Sequence, residues 1–179
     1  YASKDAGTNI KVTGPDAIAG VDLGNYIYTP GETTADITPK NITVVTVDID
    51  SKRQYDGTTN AYGADFGDIG NDHVAVGGDG FVGDETLTLT GAGRVGSKDV
   101  SAGVQALIAG TGGLGYEGDL AWANGSNGGL ASNYNVTIDQ ATLTITRREF
   151  ELSGSRVYDG TQYAYAIDMV GVDRATGLY

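Results

Sequence analysis

The strongest constraint on this chain is that it repeats itself. Tyr55-Asp56-Gly57-Thr58 returns as Tyr158-Asp159-Gly160-Thr161, 103 residues later. Ser3-Lys4-Asp5 returns as Ser97-Lys98-Asp99 at an offset of 94, and Asn25-Tyr26 as Asn133-Tyr134 at 108. At that same offset of 108, Ile37-Thr38-Pro39-Lys40 aligns with Ile145-Thr146-Arg147-Arg148. The marks keep their order while the offsets drift, as expected when loops change length and strands do not. The extra length between Ser97 and Asn133 falls in residues 113–129, a Gly/Asn-rich insertion around Trp122. One complete unit therefore spans residues 40–146. Residues 1–39 read as the closing part of a preceding unit and 147–179 as the opening part of a following one. The expectation is a segment of a longer tandem array, with any export signal far upstream.

Each unit reads as β structure. Residues 40–49 (KNITVVTVDI) are rich in β-branched side chains, with Ile42 and Val44 on one side and Val45 and Val47 on the other. Residues 86–90 (TLTLT), 133–138 (NYNVTI), 141–146 (ATLTIT), 150–152 and 8–13 (TNIKVT) alternate in the same way. One apolar and one hydroxyl-rich face suits antiparallel sheets wetted on one side. Asp-Gly, Gly-Asp and Gly-Gly pairs between the runs supply turns. Residues 104–109 fit a short helix or a strand equally well. The Tyr-Asp-Gly sites are expected to close loops, with the Tyr ring covering the end of a small core.

Composition excludes several kinds of chemistry. The net charge of −12, from 23 acidic and 11 basic residues, repels phosphate, so nucleic acid is not an expected partner. With no Cys, disulfides and thiolate sites are ruled out, and with one His a His-dependent triad has almost nothing to work with. No apolar run approaches the roughly 18 residues that cross a bilayer, so direct membrane insertion is not expected. Gly, at 29 of 179 residues, is about double the ordinary share of roughly 7% and points to many turns.

The candidate sites are each weighed against a plainer reading. Gly110-Thr-Gly112-Gly-Leu-Gly115 matches a dinucleotide fingerprint, but no helix pattern follows to hold a pyrophosphate, so a flexible loop explains it better. Asp65, Asp68, Asp72, Asp79 and Asp84 lie within twenty residues. Solvated turn acids are the first reading and calcium at a turn or unit junction the alternative. Asp48, Asp50 and Asp56 beside Tyr55 carry a weaker form of the same signal. His73 reads as the exposed start of a strand rather than a general base. Asn41, Asn124 and Asn135 open N-x-[ST] triplets of the kind that Thr-rich strands generate by chance. Tyr158, Tyr163, Tyr165 and Trp122 could stack on sugars, though strand packing accounts for such rings as well. No catalytic, cofactor-binding or metal-ligating residue is assigned, and no cofactor is expected unless calcium is one.

Tyr-Asp-Gly-Thr-Thr (55–59), Gly-Asp-Glu-Thr-Leu-Thr-Leu-Thr-Gly (83–91), Ser-Lys-Asp-Val (97–100), Asn-Tyr-Asn-Val-Thr (133–137) and Ala-Thr-Leu-Thr-Ile-Thr (141–146) resemble the YDG and MBG-type repeats. Such repeats occur in very large secreted bacterial adhesins, including filamentous-haemagglutinin-like proteins exported by two-partner secretion. The resemblance covers nearly the whole chain outside residues 113–129 and the last dozen. It implies an all-β, elongated array of tandem modules, β-grasp-like or immunoglobulin-like, with no catalytic residues. A solenoid fits less well, since its coils recur every 20–30 or so residues. Arg147-Arg148 in place of Pro39-Lys40 alters the link between units. The implied role is a structural or interaction segment of an extracellular adhesin or surface filament, located at the bacterial cell surface. It would supply length and contacts to neighbouring repeats, identical subunits, or host or matrix glycans. A carbohydrate-binding module of a secreted protein is the alternative, and an enzyme is not expected. Incomplete units leave open strand edges, so residues 1–39 and 147–179 are expected to pack on neighbouring repeats of the same chain or of an adjoining subunit.

Overall fold

The computed structural model describes residues 1–15, 19–20, 22–44, 51–74, 78–149, 153–155, 157–162 and 169–170. Within them the chain is mostly short strands joined by tight turns, and no helix exceeds the four residues of the 3-10 turn Gly63–Phe66. The strands are β1 (Gly7–Thr13), β2 (Glu32–Ile37), β3 (Lys40–Val44), β4 (Lys52–Gln54), β5 (Asn60–Tyr62), β6 (Leu87–Thr90) and β7 (Ala92–Arg94). They continue as β8 (Val104–Ala106), β9 (Ala121–Asn124), β10 (Tyr134–Ile138), β11 (Thr142–Thr146), β12 (Ser153–Gly154) and β13 (Met169–Val170). Residues 45–49 of the first alternating run, the run 150–152, and Asp48, Asp50, Tyr163 and Tyr165 lie outside the described residues.

The alternation places its apolar residues inward. Ile42 and Val44 on β3, Leu87 and Leu89 on β6, and Leu143 and Ile145 on β11 are all buried. Among the described residues, every buried hydrophobic side chain of the core lies between Ile42 and Ile145. The ring of Tyr55 packs against this core from its edge. Full burial of a Leu or Ile contributes about 1.5–3 kcal/mol relative to exposure, so these few positions carry much of the stability.

Strand direction departs from the expected antiparallel arrangement. β10 pairs with β3 in parallel, Tyr134 opposite Lys40 through Ile138 opposite Val44. β11 pairs in parallel with β4, Ile145 opposite Arg53, and antiparallel with β8 on its other edge. Alternation reports which face a residue takes and is blind to direction, because the period is two either way. The opening strands of residues 40–146 thus lie against the closing ones. The remaining pairs, β5–β7, β6–β9 and β1–β2, are antiparallel.

The insertion is built into the fold rather than looped out. β9 lies within residues 113–129 and pairs along the whole of β6, Leu89 opposite Trp122. Its glycines are there because other backbone comes too close for a side chain. A Cβ on Gly118, whose φ is +103°, would strike the carbonyl oxygen of Ala92, and one on Gly113 would strike that of Leu120. The flexible-loop reading of the Gly110-to-Gly115 fingerprint is corrected on this ground. Residues 104–106, open between helix and strand in the sequence, form β8.

β1 and β2 form a hairpin without a single buried core residue among those described. Its register copies that of β8 on β11. Ile10 faces Ala35 and Lys11 faces Thr34, while Gln105 faces Leu143 and Ala106 faces Thr142. The offsets are therefore 108 for β2 onto β11, matching the sequence marks there, and 95 for β1 onto β8. β1 also has a register irregularity between Gly7 and Ile10, where three residues on β1 span two on β2. What the hairpin lacks is the third strand. β11 carries β4 on its far edge, whereas the sheet of β1 and β2 ends at two strands among the described residues.

Replacing Leu143 by Ala, in the middle of the three-stranded sheet, is expected to cost about 2–5 kcal/mol. Replacing the half-buried Ile10 of the hairpin should cost clearly less. Urea unfolding of the two variants beside the parent chain checks this order.

Candidate interaction site at the hairpin junction

The recurring sequence marks adopt the same local bonding at both copies. At Asp56, one carboxylate oxygen accepts from the Thr58 amide at 2.8 Å and the Thr58 hydroxyl at 2.9 Å. At Asp159, the matching oxygen accepts from the Thr161 amide and hydroxyl, both at 2.9 Å. Gly57 and Gly160 between them have φ of +82° and +78°. Only Gly takes that conformation without strain, which is why Gly follows Asp in both copies. The Ser-Lys-Asp marks behave alike. Asp5 and Asp99 each donate their amide to the hydroxyl of Ser3 or Ser97 at 3.0 Å, and each hydroxyl donates back to the carboxylate at 3.4 Å.

At the first copy, the Asp56 mark is extended by Arg53. Its side chain is only 7% exposed and forms an ion pair with Asp56. Its Nη2 donates to the Thr58 carbonyl at 3.1 Å, and the guanidinium lies 5.7 Å from the centre of the Tyr62 ring. Burial opposes ionisation of Asp56, but hydrogen bonds from Arg53 and Thr58 outweigh it and hold its carboxyl below the ordinary value. Burial wins at Asp65, which is pushed up although it accepts the Tyr62 amide. This cluster fastens the loop after β4 to the core.

The second pair of marks makes the junction. Asn133 bridges from the turn before β10 to the segment leading into β1. Its Oδ1 accepts the Ala6 amide at 2.8 Å and its Nδ2 donates to Asp5 at 3.0 Å. That donation is the main reason the Asp5 carboxyl lies below its ordinary value, with smaller help from Lys4 and Ser3 against desolvation. Beside it, Tyr134 donates its hydroxyl to Glu85 at 2.6 Å and accepts the Val82 amide at 3.1 Å. Lys4 approaches Glu85 at 3.7 Å. Burial, then the Glu85 hydrogen bond, pushes the Tyr134 phenol up, so it stays a donor. A cleft of about 250 Å³ opens between hairpin and core, walled by Lys4, Thr38, Lys40, Val82 and Tyr134.

The other candidates from the sequence do not assemble. Among the described residues, no three acidic or His side chains converge as metal ligands. Asp68 accepts the Ser126 hydroxyl at 2.7 Å and the Thr86 hydroxyl at 3.3 Å, tying the β6 and β9 ends together. Asp72 is bound by His73 Nδ1 at 2.8 Å, and Asp79 and Asp84 are exposed. His73 sits half-buried in the 3-10 turn Asn71–His73, not at an exposed strand start. Trp122 is half-buried on β9, and its Nε1 donates to the Val136 carbonyl at 3.2 Å. Asn41 and Asn135 face each other across β3 and β10, with a 3.2 Å bond between their side chains. Sequence reading treated Asn25-Tyr26 and Asn133-Tyr134 only as marks of repetition. The value of Asn133-Tyr134 as a clamp was signalled by that recurrence, whereas Asn25 and Tyr26 are exposed.

No family model, curated protein or solved structure matches the chain.

Two outcomes follow from the clamp. Asn133→Ala should raise the hydrogen-exchange rate of the Ala6 amide while amides of β11 keep their protection. The folded Asp5 carboxyl titrates below its ordinary value of 3.8, so its support for docking is complete above that pH. It is lost as the pH falls beneath it, and exchange at Ala6 should accelerate there in the parent chain but not in the variant.

Proposed function

We propose that this chain is a structural and interaction segment of an extracellular bacterial adhesin or surface filament, at the cell surface, where tandem units supply length and contacts. The observation that carries this reading is the hairpin of β1 and β2, which repeats the strand register of β8 on β11, with β2 at the 108-residue offset of the Asn-Tyr and Ile-Thr marks. The matching bonds at Asp56 and Asp159, and at Asp5 and Asp99, support it further. On this reading the complete unit is a β-rich module of β-grasp-like or immunoglobulin-like topology, and successive modules form an elongated array. Its parallel β3–β10 and β4–β11 pairs set it apart from a purely antiparallel sandwich. Repetition of a small self-closed unit gains reach at a constant energetic gain per unit, since each one contacts mainly its neighbours. The acidic surface keeps such a polymer soluble, and the lack of Cys frees it from oxidative folding.

The test is small-angle scattering of one, two and three copies of the full 179-residue chain joined in tandem. A spacer array should lengthen by a constant step with each copy. A maximum dimension that grows only as the cube root of mass overturns the reading. Saturable binding of the single chain to a defined glycan on an array would favour the carbohydrate-binding alternative, for which Trp122 is half-buried with its Nε1 already engaged.

A further inference from the structure

We propose that the Asn127-Gly128 pair is a site of spontaneous, one-way modification, at which the folded chain loses ammonia and gains a carboxylate. The inference does not depend on the repeat-module reading above.

The sequence holds two Asn-Gly pairs, Asn124-Gly125 and Asn127-Gly128. An Asn before Gly is open to attack by the next backbone nitrogen on its own side-chain amide, because Gly brings no Cβ to crowd that nitrogen. The fold treats the two pairs differently. Asn124 ends β9 and pairs with Leu87 on β6. Its Oδ1 accepts the Ala131 amide at 2.9 Å, and the Gly125 amide donates to the Gly129 carbonyl at 3.1 Å. A Cβ on Gly125 or on Gly129 would strike the Thr86 carbonyl oxygen, so both glycines are pressed against the residue that leads into β6. The nitrogen that would attack Asn124 is therefore already bonded, and the backbone around it has no room to swing.

Asn127 and Gly128 form the tip that these two glycines hold out. The Gly129 amide donates to the Ser126 carbonyl at 3.0 Å, and φ is +56° at Asn127 and +87° at Gly128. Positive φ at both central residues is the signature of a type I′ turn, for which Asn-Gly is a favoured pair. Turn geometry thus accounts for the presence of the pair, and its reactivity comes with it. Both residues are exposed. Among the described residues the Gly128 amide has no hydrogen-bond partner. A Cβ on Gly128 would meet nothing nearer than a Glu85 carboxylate oxygen at 4.0 Å, so its surroundings are open. The Asn127 side chain has one bond to give up, from Nδ2 to the Asp84 carbonyl at 2.8 Å.

The reaction balances with water alone. The Gly128 nitrogen attacks Asn127 Cγ as its proton is lost. A C–N bond forms, the Cγ–Nδ2 bond breaks, and Nδ2 leaves with that proton as ammonia. One water then opens the imide ring. Opening at Cγ gives aspartate, and opening at the backbone carbonyl gives isoaspartate, in which the chain runs through the side chain. Neither product can donate to the Asp84 carbonyl. Each adds a negative charge to a turn that already has Asp68 on Ser126 and Glu85 near Gly128. Two bonds fasten this turn to Thr86, from the Ser126 amide to the Thr86 hydroxyl at 2.9 Å and from the Thr86 amide to the Ser126 carbonyl at 3.3 Å. Both are weakened by the conversion. The neighbouring Glu85 holds the Tyr134 hydroxyl, so the change falls beside the hairpin junction.

The test is to hold the folded full chain at neutral pH and physiological temperature and to follow its peptides by mass spectrometry, with fragment spectra placing the change at 124 or 127. Asn127 should convert about tenfold faster than Asn124, because two hydrogen bonds must open first at Asn124. In urea the two rates should come together. Equal rates in the folded chain, faster conversion at Asn124, or an unchanged Asn127 once the urea sample has converted overturns the proposal. In the converted chain, hydrogen exchange at the Ser126 and Thr86 amides should rise severalfold while β11 keeps its protection. Asn127→Asp, which supplies the aspartate product directly, should show the same rise. Unchanged exchange at those two amides in the converted chain overturns the loosening of the turn.

Discussion

The parallel pairing of β3 with β10 and β4 with β11 is what the rest of the structure depends on. It brings together segments some ninety residues apart in sequence, and every buried core residue among those described lies within the span that it closes. Closing so long a loop costs entropy that grows only logarithmically with length, so the insertion of residues 113–129 adds little to it. The return comes from Ile42, Val44, Leu143 and Ile145, which become buried only once the strands are in register. Such long-range pairing is slow to find. The hydrophobic alternation also makes it unforgiving, because a slip of one residue would turn each of those side chains to water.

How far the sequence discloses this can be argued strand by strand. β3, β6, β10, β11 and β1 are legible because they alternate and carry β-branched residues. β2 (Glu-Thr-Thr-Ala-Asp-Ile) and β9 (Ala-Trp-Ala-Asn) are not. The first has no apolar stripe because its face meets no core among the described residues. The second lies in a Gly-rich stretch where close backbone approach, not side-chain pattern, defines the path. Strand direction is invisible to a period of two. The acidic residues misled as a group because proximity in sequence says nothing of convergence in space. Asp65 turns in towards Arg53 and Asp68 towards Ser126. The junction was half legible, since recurrence located Asn133 and Asp5 and only the fold showed that they touch.

The junction also shows how one short motif serves two purposes. Within its own segment, Ser-Lys-Asp is a self-contained turn in which the hydroxyl and the carboxylate satisfy the backbone. Towards the neighbour, that same turn offers a carboxylate and a free-standing amide, which one amide side chain can grip from both sides. Asn is suited to this because it carries a donor and an acceptor at one terminus. Asp or Leu at position 133 would lose one contact or both. Lys4 beside it is exposed, so its ion pairs contribute less to holding the hairpin than to choosing where it lands.

The pairing of first strands with last has a mechanical consequence. β2 ends at Ile37 and β3 begins at Lys40, while β11 ends at Thr146. A pull along the chain therefore acts on the leading end of β3 and, through β11, on the trailing end of the unit. Because the paired strands run in the same direction, the two forces slide them past one another instead of peeling them apart. All five residue pairs of β3 and β10 are then loaded together, and none can fail first as in a zipper. Under such a pull, survival is set by the rate of this concerted rupture rather than by equilibrium stability.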